Sequence, residues 1–214
     1  MQVNNVKVYD LPEAIVASGF PMLVEYFPNE IASITACVKA YIEDIDRHED
    51  ICAIAKPHIN RAIKLASAKD GTGHRNFCSG ILVAFDLTAT NAMWMQFERY
   101  HFAQIVSSQS KMHCLKKMTQ AESFKFHDKV FENGEELLKN IGLYVDKDSI
   151  IDEEELVYNC PMGLELTARV TTNYLQLRTM YTQRKNHKLK EWRDFCDWIE
   201  TLPMARELII GEKG

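Results

Sequence analysis

The sequence lacks the features of membrane proteins, secreted proteins and general nucleic-acid binders. No apolar run is long enough to span a membrane, since even residues 31–42 are interrupted by Ser33, Thr35 and Lys39. The first five residues, Met-Gln-Val-Asn-Asn, do not join a basic region to an apolar one, so no signal peptide is predicted. The formal net charge of −5 at pH 7 excludes the basic excess of a general nucleic-acid binder. A small anionic ligand would therefore need a local cluster of cationic groups and backbone N–H groups.

The six cysteines and the histidines do not form any of the usual metal or disulfide motifs. The cysteines are spread along the chain without a C-x-x-C pair. Disulfide frameworks and zinc sites bring cysteines close together in sequence, so we expect reduced thiols in a cytoplasmic protein. His74, His101 and His113 have no carboxylate at the spacing of metal ligands, and no metal site is predicted.

Length and hydrophobic pattern predict one α+β domain over residues 1–214. The chain is 46% apolar and 26% charged, close to globular averages, and no repeat or linker divides it. Alternating or apolar stretches predict strands over residues 6–11, 81–88 and 164–172. Helical spacing predicts a long helical segment over residues 29–68, with breaks at 47–51 and at Pro57. Further helices are predicted over 89–103, from a point after Glu122, over 174–185 and over 189–202. The run Met93-Trp94-Met95 is interpreted as core packing.

The segment 96–113 carries polar residues of the kind that bind anions or the edges of nucleobases. Arg99 is predicted near the C-terminal end of a helix, and small polar residues follow it. Their side chains provide hydrogen-bond donors, and their shortness leaves backbone N–H groups accessible. The alternative is a serine-rich turn in which Arg99 pairs with Glu98 on the surface. The polar residues in question are Ser107, Ser108, Gln109 and Ser110.

The segment 173–187 places an amide and a guanidinium on one helical face. Asn173 and Arg184 are eleven residues apart, which is close to three turns at about 3.6 residues per turn. Leu177 and Met180 or Tyr181 lie between them on the same stripe. Buried polar groups need partners, and a planar ligand is one way to provide them. The alternative is that Arg184 extends from the edge of the core to solvent.

Together, these segments resemble the flavin-dependent thymidylate synthase family. Arg99-Tyr100-His101 and the serines that follow are similar to its R-H-R-x-x-S-x-N-E-x-S signature, and Gly73-His74 with the strand 83–87 resembles its G-H-x-S…F-T-F-x-I stretch. Downstream, Pro161, then Asn173 and Arg184, are similar to its closing pattern of LP, N-x-R-x-L and a late helical Arg. Glu191-Trp192-Arg193 resembles the family's ending. The resemblance covers residues 71–193 and rests on the order and spacing of four motifs.

The resemblance implies both a fold and an activity. The expected fold is the α+β fold of this family, an antiparallel or mixed sheet with long flanking helices, assembled as a homotetramer. The expected reaction is methylation of dUMP to dTMP with methylenetetrahydrofolate, reduced FAD and NADPH, without nucleic-acid or membrane partners. The implied cofactor-binding residues are Arg99, His101, Asn173 and His74. The implied substrate-binding residues are Ser107, Ser108, Gln109, Ser110 and Arg184, of which Arg184 and Ser110 are the catalytic candidates.

The chain departs from the family's pattern where phosphate would be bound. Tyr100 and His101 replace His and Arg, Ser110-Lys111-Met112-His113 lacks the Arg of S-x-R-Y, and a second phosphate Arg falls near Val157. The alignment through the serines can also shift by one residue. Two alternatives therefore stay open: a non-catalytic nucleotide- or flavin-binding relative, and a C5-methylase or hydroxymethylase for a modified or different uridine nucleotide. Candidates to restore the positive charge are Lys111, His113, Lys116, Lys117 and Arg169.

Overall fold

A four-stranded antiparallel sheet organises the protein. The structure is a computed structural model that describes residues 1–43, 49–69, 71–120, 125–133, 136 and 153–211. The sheet order is β1-β2-β4-β3, with the central strands running in opposite directions. The α+β prediction is thus confirmed. The strands are β1 (Gln2–Tyr9), β2 (Leu82–Thr90), β3 (Gln104–Ser108) and β4 (Glu165–Asn173).

Helices connect and flank these strands. No helix of the described residues is long and apolar enough to cross a membrane. All six cysteines are free thiols. The α-helices are α1 (Leu11–Ala17), α2 (Pro28–Ile42), α3 (Glu49–Ala66), α4 (Asn91–Phe97), α5 (Lys111–Gln120), α6 (Glu153–Tyr158), α7 (Tyr174–Arg184) and α8 (Lys190–Ile199). Short 3-10 helices at Phe20–Met22 and Asn76–Gly80 and a π-helical turn at Arg206–Ile210 complete the described elements.

The chain forms two compact units, and the division runs through the strands. The first unit contains Met1–Asn5 and Phe85–Val170, and the second contains Val6–Ala84 and Thr171–Gly214. The assignment of the whole chain to one domain stays a prediction.

The first unit packs α4 against its part of the sheet. Phe85 and Leu87 of β2 are fully buried, as their alternation predicts, and so are Met93 and Phe97 of α4. The indole Nε1 of Trp94 donates a hydrogen bond of 3.0 Å to the Leu166 carbonyl. The Trp94 bond fixes α4 on β4, whereas Met95 of the same helix is exposed.

The second unit is mainly helical, and aromatic residues fill its core. Trp192 and Phe195 of α8 are fully buried and meet edge to face, with ring centroids 5.8 Å apart. Tyr174, at the start of α7, is also fully buried, and its hydroxyl donates to the Pro203 carbonyl at 2.7 Å. The apolar stripe predicted on the last helix is confirmed, since Trp192, Phe195, Cys196 and Ile199 are all buried.

Three of the expected helix limits are wrong. Helix α3 continues through Pro57, which is exposed, so water can satisfy the carbonyl that a proline leaves without its helical partner. The helix expected over 89–103 ends at Phe97, and the edge strand β3 follows. β3 is mostly exposed on both faces, which removes the alternation that would have predicted it. Helix α5 begins at Lys111, where no helix was predicted. Of the helix predicted after Glu122, residues 125–131 are not helical, whereas residues 132, 133 and 136 are, and Phe126 forms a single antiparallel bridge to Leu164.

Several expectations lie partly outside the described residues. The break expected at 47–51 overlaps residues 44–48, which are not described, although α2 ends at Ile42 and α3 begins at Glu49. The acidic composition of residues 146–155 predicts a loop that leads into a short helix; residues 146–152 of it, and most of the segment 134–152, are outside the described residues. The short helix expected after that loop is present as α6.

An ion pair on the sheet surface should make the stability depend on acid pH. The Asp86 carboxylate accepts hydrogen bonds from Arg169 at 3.1 Å and from Asn5 at 3.2 Å. These bonds, first that of Arg169 and then that of Asn5, hold the Asp86 pKa below its ordinary value of 3.8. A depressed pKa in the folded state means that the stabilisation is present above the unfolded value and is lost as the pH falls through the folded one.

We therefore expect Asp86→Asn to lower the free energy of unfolding more near pH 7 than near pH 2.5. Urea denaturation of both proteins at the two pH values measures this difference. Glu13→Gln is the matched control, because Glu13 is exposed and has no ion pair with a described residue. An equal loss for Asp86→Asn at both pH values would contradict the prediction.

Candidate functional site

The signature segment folds as a capped helix, a turn and an edge strand. Helix α4 begins at Asn91 because the Thr90 hydroxyl caps it, accepting a hydrogen bond of 3.2 Å from the Met93 N–H. Beyond the helix, Arg99 and His101 are exposed, whereas Tyr100 between them is buried. Neither Arg99 nor His101 has a hydrogen bond or ion pair with another described residue. The surface pair of Arg99 with Glu98, which the sequence allowed, is therefore not formed, and the guanidinium has no hydrogen-bond acceptor among the described residues.

The polar run after the turn is anchored to the neighbouring strand β4. The Gln109 N–H donates to the Thr167 carbonyl at 3.0 Å, and the Thr167 N–H donates to Gln109 Oε1 at 2.8 Å. The Ser110 carbonyl accepts from the Cys114 N–H at 2.8 Å, which is the first bond of helix α5. Ser107 and Ser108 are the last residues of β3 and are exposed. These contacts hold the run in one defined conformation.

A cavity of about 380 Å³ opens beside this run in the first unit. Of the predicted site residues, it brings together Ser108 and Gln109, and it also includes Lys111, a candidate to restore positive charge. The other lining residues were not predicted, although the i, i+3, i+4, i+7 spacing of four of them was visible in the sequence. Those four are Asn91, Trp94, Met95 and Glu98; the rest are Ile105, Val157, Tyr158, Cys160, Met162, Leu166, Thr167 and Ala168. Met95 is 63% exposed, so its assignment to the core is wrong.

The thiol in this cavity is not an activated nucleophile. Burial raises the pKa of Cys160, and the nearby Lys111 ammonium and the Asn91 amide offset that effect only in part. The thiol is therefore protonated near neutral pH, and the thiolate is the reactive form. Chemistry at this site does not start from Cys160.

In the second unit, α7 holds Asn173 and Arg184 at its two ends. Asn173 Oδ1 accepts from the Gln176 N–H at 2.8 Å and so caps the helix, and the two residues between them on the stripe, Leu177 and Met180, are buried. The Arg184 guanidinium lies over the buried Trp192 ring, with Cζ 4.7 Å from its centroid. Arg184 is thus held against an aromatic face instead of extending freely into solvent.

His187 and His74 occupy different environments in the second unit. Burial, and then the positive charges of Arg184 and Arg193, lower the pKa of His187. The ring is therefore neutral near pH 7, and it adds no positive charge beside Arg184. His74 is exposed in the turn after Gly73, whose φ of +74° favours glycine.

A larger cavity of about 560 Å³ in the second unit contains none of the predicted residues. Arg61 lies at its wall and donates to the Ser18 hydroxyl at 3.3 Å and to the Val16 carbonyl at 3.2 Å, which satisfies the end of helix α1. Its role in the described residues is accordingly to hold α1 against α3.

Comparison with solved structures assigns the fold. A structure of thymidylate synthase X from Helicobacter pylori with FAD and dUMP matches 98% of this chain and 97% of its own, at 13% identity and a TM-score of 0.63. A second structure of the flavin-dependent enzyme from Helicobacter pylori, complexed with FAD and dUMP, matches 98% of both chains at 14% identity and a TM-score of 0.57. The chain has the fold of the flavin-dependent thymidylate synthases. No protein-family model matches the sequence, and no curated protein is significantly similar to it.

The resemblance to flavin-dependent thymidylate synthases is thus confirmed as a likeness of fold. The proposed site residues of this fold divide between the two units. Arg99, His101 and the polar run of residues 107–110 belong to the first, whereas His74, Asn173 and Arg184 belong to the second. Arg169 forms an ion pair with Asp86 and donates a hydrogen bond of 2.8 Å to the Asn5 carbonyl. Its charge is therefore already paired.

Asn173 has a structural role that can be separated from any ligand contact. Asn173→Ala removes the cap of α7 and should lower the free energy of unfolding by about 1 kcal/mol, the usual cost of losing an N-cap. Asn173→Asp keeps an oxygen for the Gln176 N–H and should unfold close to wild type. Urea denaturation near pH 7 distinguishes the two, and equal losses in both variants would show that the cap contributes nothing.

Proposed function

We propose that the protein binds FAD and a uridine nucleotide and catalyses flavin-dependent methylation of dUMP to dTMP. Methylenetetrahydrofolate would be the methyl donor and NADPH the reductant. The observation that carries the proposal is the match along nearly the whole chain to two structures that contain FAD and dUMP. The order of the four sequence motifs supports it independently, because the motifs depend on the sequence alone.

The residues that the chain offers to a flavin fit that group. A flavin presents ring carbonyls and phosphate oxygens, which are hydrogen-bond acceptors, and so needs donors. Arg99 and His101 are exposed donors, and Asn173 spends only its Oδ1 on the helix cap, which leaves Nδ2 as a third. His74 is a further exposed candidate. When bound, FAD would supply the redox chemistry, while these residues bind and orient it.

Arg184 is suited to polarise the uracil ring. Its guanidinium is planar, permanently charged and held over Trp192, so few of its conformations are lost on binding a carbonyl. A cation at that carbonyl stabilises the negative charge that develops when the ring is attacked. The neutral His187 beside it does not compete for that charge. Ser110 and the polar residues 107–109 would position the nucleotide through hydroxyl and amide groups.

The phosphate-binding part of the site supports a second candidate substrate. Lys111 lines the cavity with Ser108 and Gln109, and so does Val157, near which the family has a phosphate-binding Arg. An apolar side chain cannot bind a phosphate, and a single Lys does not reproduce a bidentate Arg contact. This favours a uridine nucleotide with a modified or different phosphate-bearing part, or a relative that binds without turnover.

A homotetramer is the proposed assembly. β3 is an edge strand, and its Val106 is 63% exposed, as is Phe102 just before it at 70%. An exposed edge strand with large apolar side chains tends to pair with another chain. Association of copies through such surfaces would also bring residues of different subunits to one site.

Added FAD should bind and stabilise the protein. A ligand that binds only the folded state at one hundred times its Kd adds about 2.7 kcal/mol to the free energy of unfolding. We expect quenching of flavin fluorescence on titration and a higher Tm. Arg99→Ala should weaken both effects, whereas Arg206→Ala, at an exposed position of the other unit, should leave them unchanged. No quenching and no Tm shift with wild type would refute flavin binding.

Arg184→Lys should weaken uridine-nucleotide binding although the charge is kept. A lysine cannot make the paired contacts of the planar fork, and the loss should be about 1.5–3 kcal/mol, the range for a charged hydrogen bond. Calorimetric titration with dUMP and with UMP measures it, and Arg206→Lys is the matched control. Equal affinities of wild type and Arg184→Lys would mean that Arg184 only packs on Trp192.

A further inference from the structure

The Asn91 amide in the cavity of the first unit has a fixed orientation and an acceptor that no described residue satisfies. Asn91 Nδ2 lies 3.3 Å from the Pro161 carbonyl oxygen and 3.7 Å from Cys160 Sγ. A carbonyl oxygen can only accept, so the NH₂ group must face Pro161. Oδ1 therefore points the other way, with no donor among the described residues, although Asn91 is only 8% exposed. Buried polar atoms are normally paired, so a ligand N–H is the partner that this oxygen calls for.

The Gln109 side chain presents the opposite group. The Thr167 backbone N–H, which can only donate, lies 2.8 Å from Gln109 Oε1 and so assigns the oxygen to that side. Nε2 is thereby presented as a donor, and no described residue accepts from it. The cavity is thus lined by a buried acceptor, whose orientation Pro161 fixes, and by an exposed donor, whose orientation Thr167 fixes.

The walls between these two groups suit a flat ring. The Trp94 Nε1–H donates to the Leu166 carbonyl at 3.0 Å, so the indole contributes only carbon surface to the cavity. Ile105, Val157 and Leu166 add further apolar surface. A volume of about 380 Å³ is near the lower end of the range of about 300–1,000 Å³ for ligand pockets, enough for a ring system but not for a whole dinucleotide.

The charge of the cavity does not select a phosphate. Its charged lining residues are Glu98 and Lys111, one of each sign. A doubly charged phosphate would meet one cation and one anion, whereas a neutral ring that accepts from Gln109 and donates to Asn91 meets two matched partners. The selectivity of this cavity therefore lies in hydrogen bonding to a ring.

We infer that this cavity binds a planar heterocycle through a lactam edge, an N–H beside a C=O, as in uracil and pterin rings. Asn91 Oδ1 accepts from the ring N–H, and Gln109 Nε2 donates to the adjacent carbonyl. The inference deepens the proposed function and rests on it for the choice of ligands, since Ser108 and Gln109 belong to both. Asn91 and Gln109 are then the residues that determine which ring is bound.

Methylation of the ring nitrogen tests the contact directly. Wild type should bind uridine at least about tenfold more tightly than 3-methyluridine, which lacks the ring N–H, because a buried acceptor would be left unpaired. The same comparison between 6,7-dimethylpterin and its N3-methyl derivative distinguishes a pterin from a pyrimidine as the ring that fits. Calorimetric or ligand-detected NMR titration gives the affinities.

Variants of the two amides separate recognition from folding. Gln109→Glu keeps an oxygen for the Thr167 N–H but removes the Nε2 donor, so it should fold normally and lose about tenfold in affinity for the preferred ring. Asn91→Ala should bind the methylated and unmethylated rings equally. Asn159→Ala is the matched control, since that amide is exposed, bonds to the Glu155 carbonyl and does not line the cavity.

The outcomes for this inference and for the proposed function differ. Equal affinity of wild type for methylated and unmethylated rings, binding of neither ring, or an unchanged affinity in Gln109→Glu would each overturn the lactam site. Selective ring binding by a protein that binds no FAD would overturn the proposed function and leave the lactam site standing. FAD binding and dUMP methylation without ring selectivity would overturn the lactam site and leave the proposed function standing.

Discussion

The change from strand to helix is the constraint on which the rest of the structure depends. β2 and β4 each lead directly into a helix, and in both cases a side chain of the last strand residue caps that helix: Thr90 for α4 and Asn173 for α7. A capped start fixes the position of the first turn relative to its strand. The register of the strand therefore determines the directions in which the side chains of the following helix point. Asn91 and Trp94 point into the cavity on this account, and Arg184 reaches Trp192 three turns after its cap.

The sequence predicts the elements that a buried face enforces and misses those that lack one. β2, β4, α7 and α8 have apolar residues at regular spacing, and all four were predicted with errors of a few residues. β3 has no such face, because it is an edge strand exposed on both sides, and it was not predicted as a strand. At Pro57 the sequence predicts a helix break that does not occur, since a proline is tolerated inside a helix where the carbonyl that loses its helical partner faces water.

The same distinction applies to the candidate site. Ser108 and Gln109 were predicted from a cluster of polar residues that has few structural uses, and both line the cavity. Met95 was predicted as a core residue because its neighbours Met93 and Trp94 are core residues. In the structure, the same helical turn packs Met93 in the core and places Met95 at the cavity. Asn91 was missed for a different reason: which amide atom is left without a partner depends on Pro161, seventy residues away. No local pattern encodes that contact.

The charges of the candidate site are consistent with a ligand that is recognised through its ring and not through a phosphate. Arg169 is neutralised by Asp86, Val157 at the cavity is apolar, and Glu98 and Lys111 bring opposite charges to the cavity, so these candidate positions add no net positive charge there. Arg99 and His101 keep exposed donors in the same unit. Exposed donors at the turn and no net positive charge at the cavity fit the proposed function with a substrate whose phosphate-bearing part differs from that of dUMP. Asn91 Oδ1 is buried and has no partner among the described residues, which costs stability that an apolar side chain at this position would avoid, and a bound ring that donates to this oxygen would offset the cost.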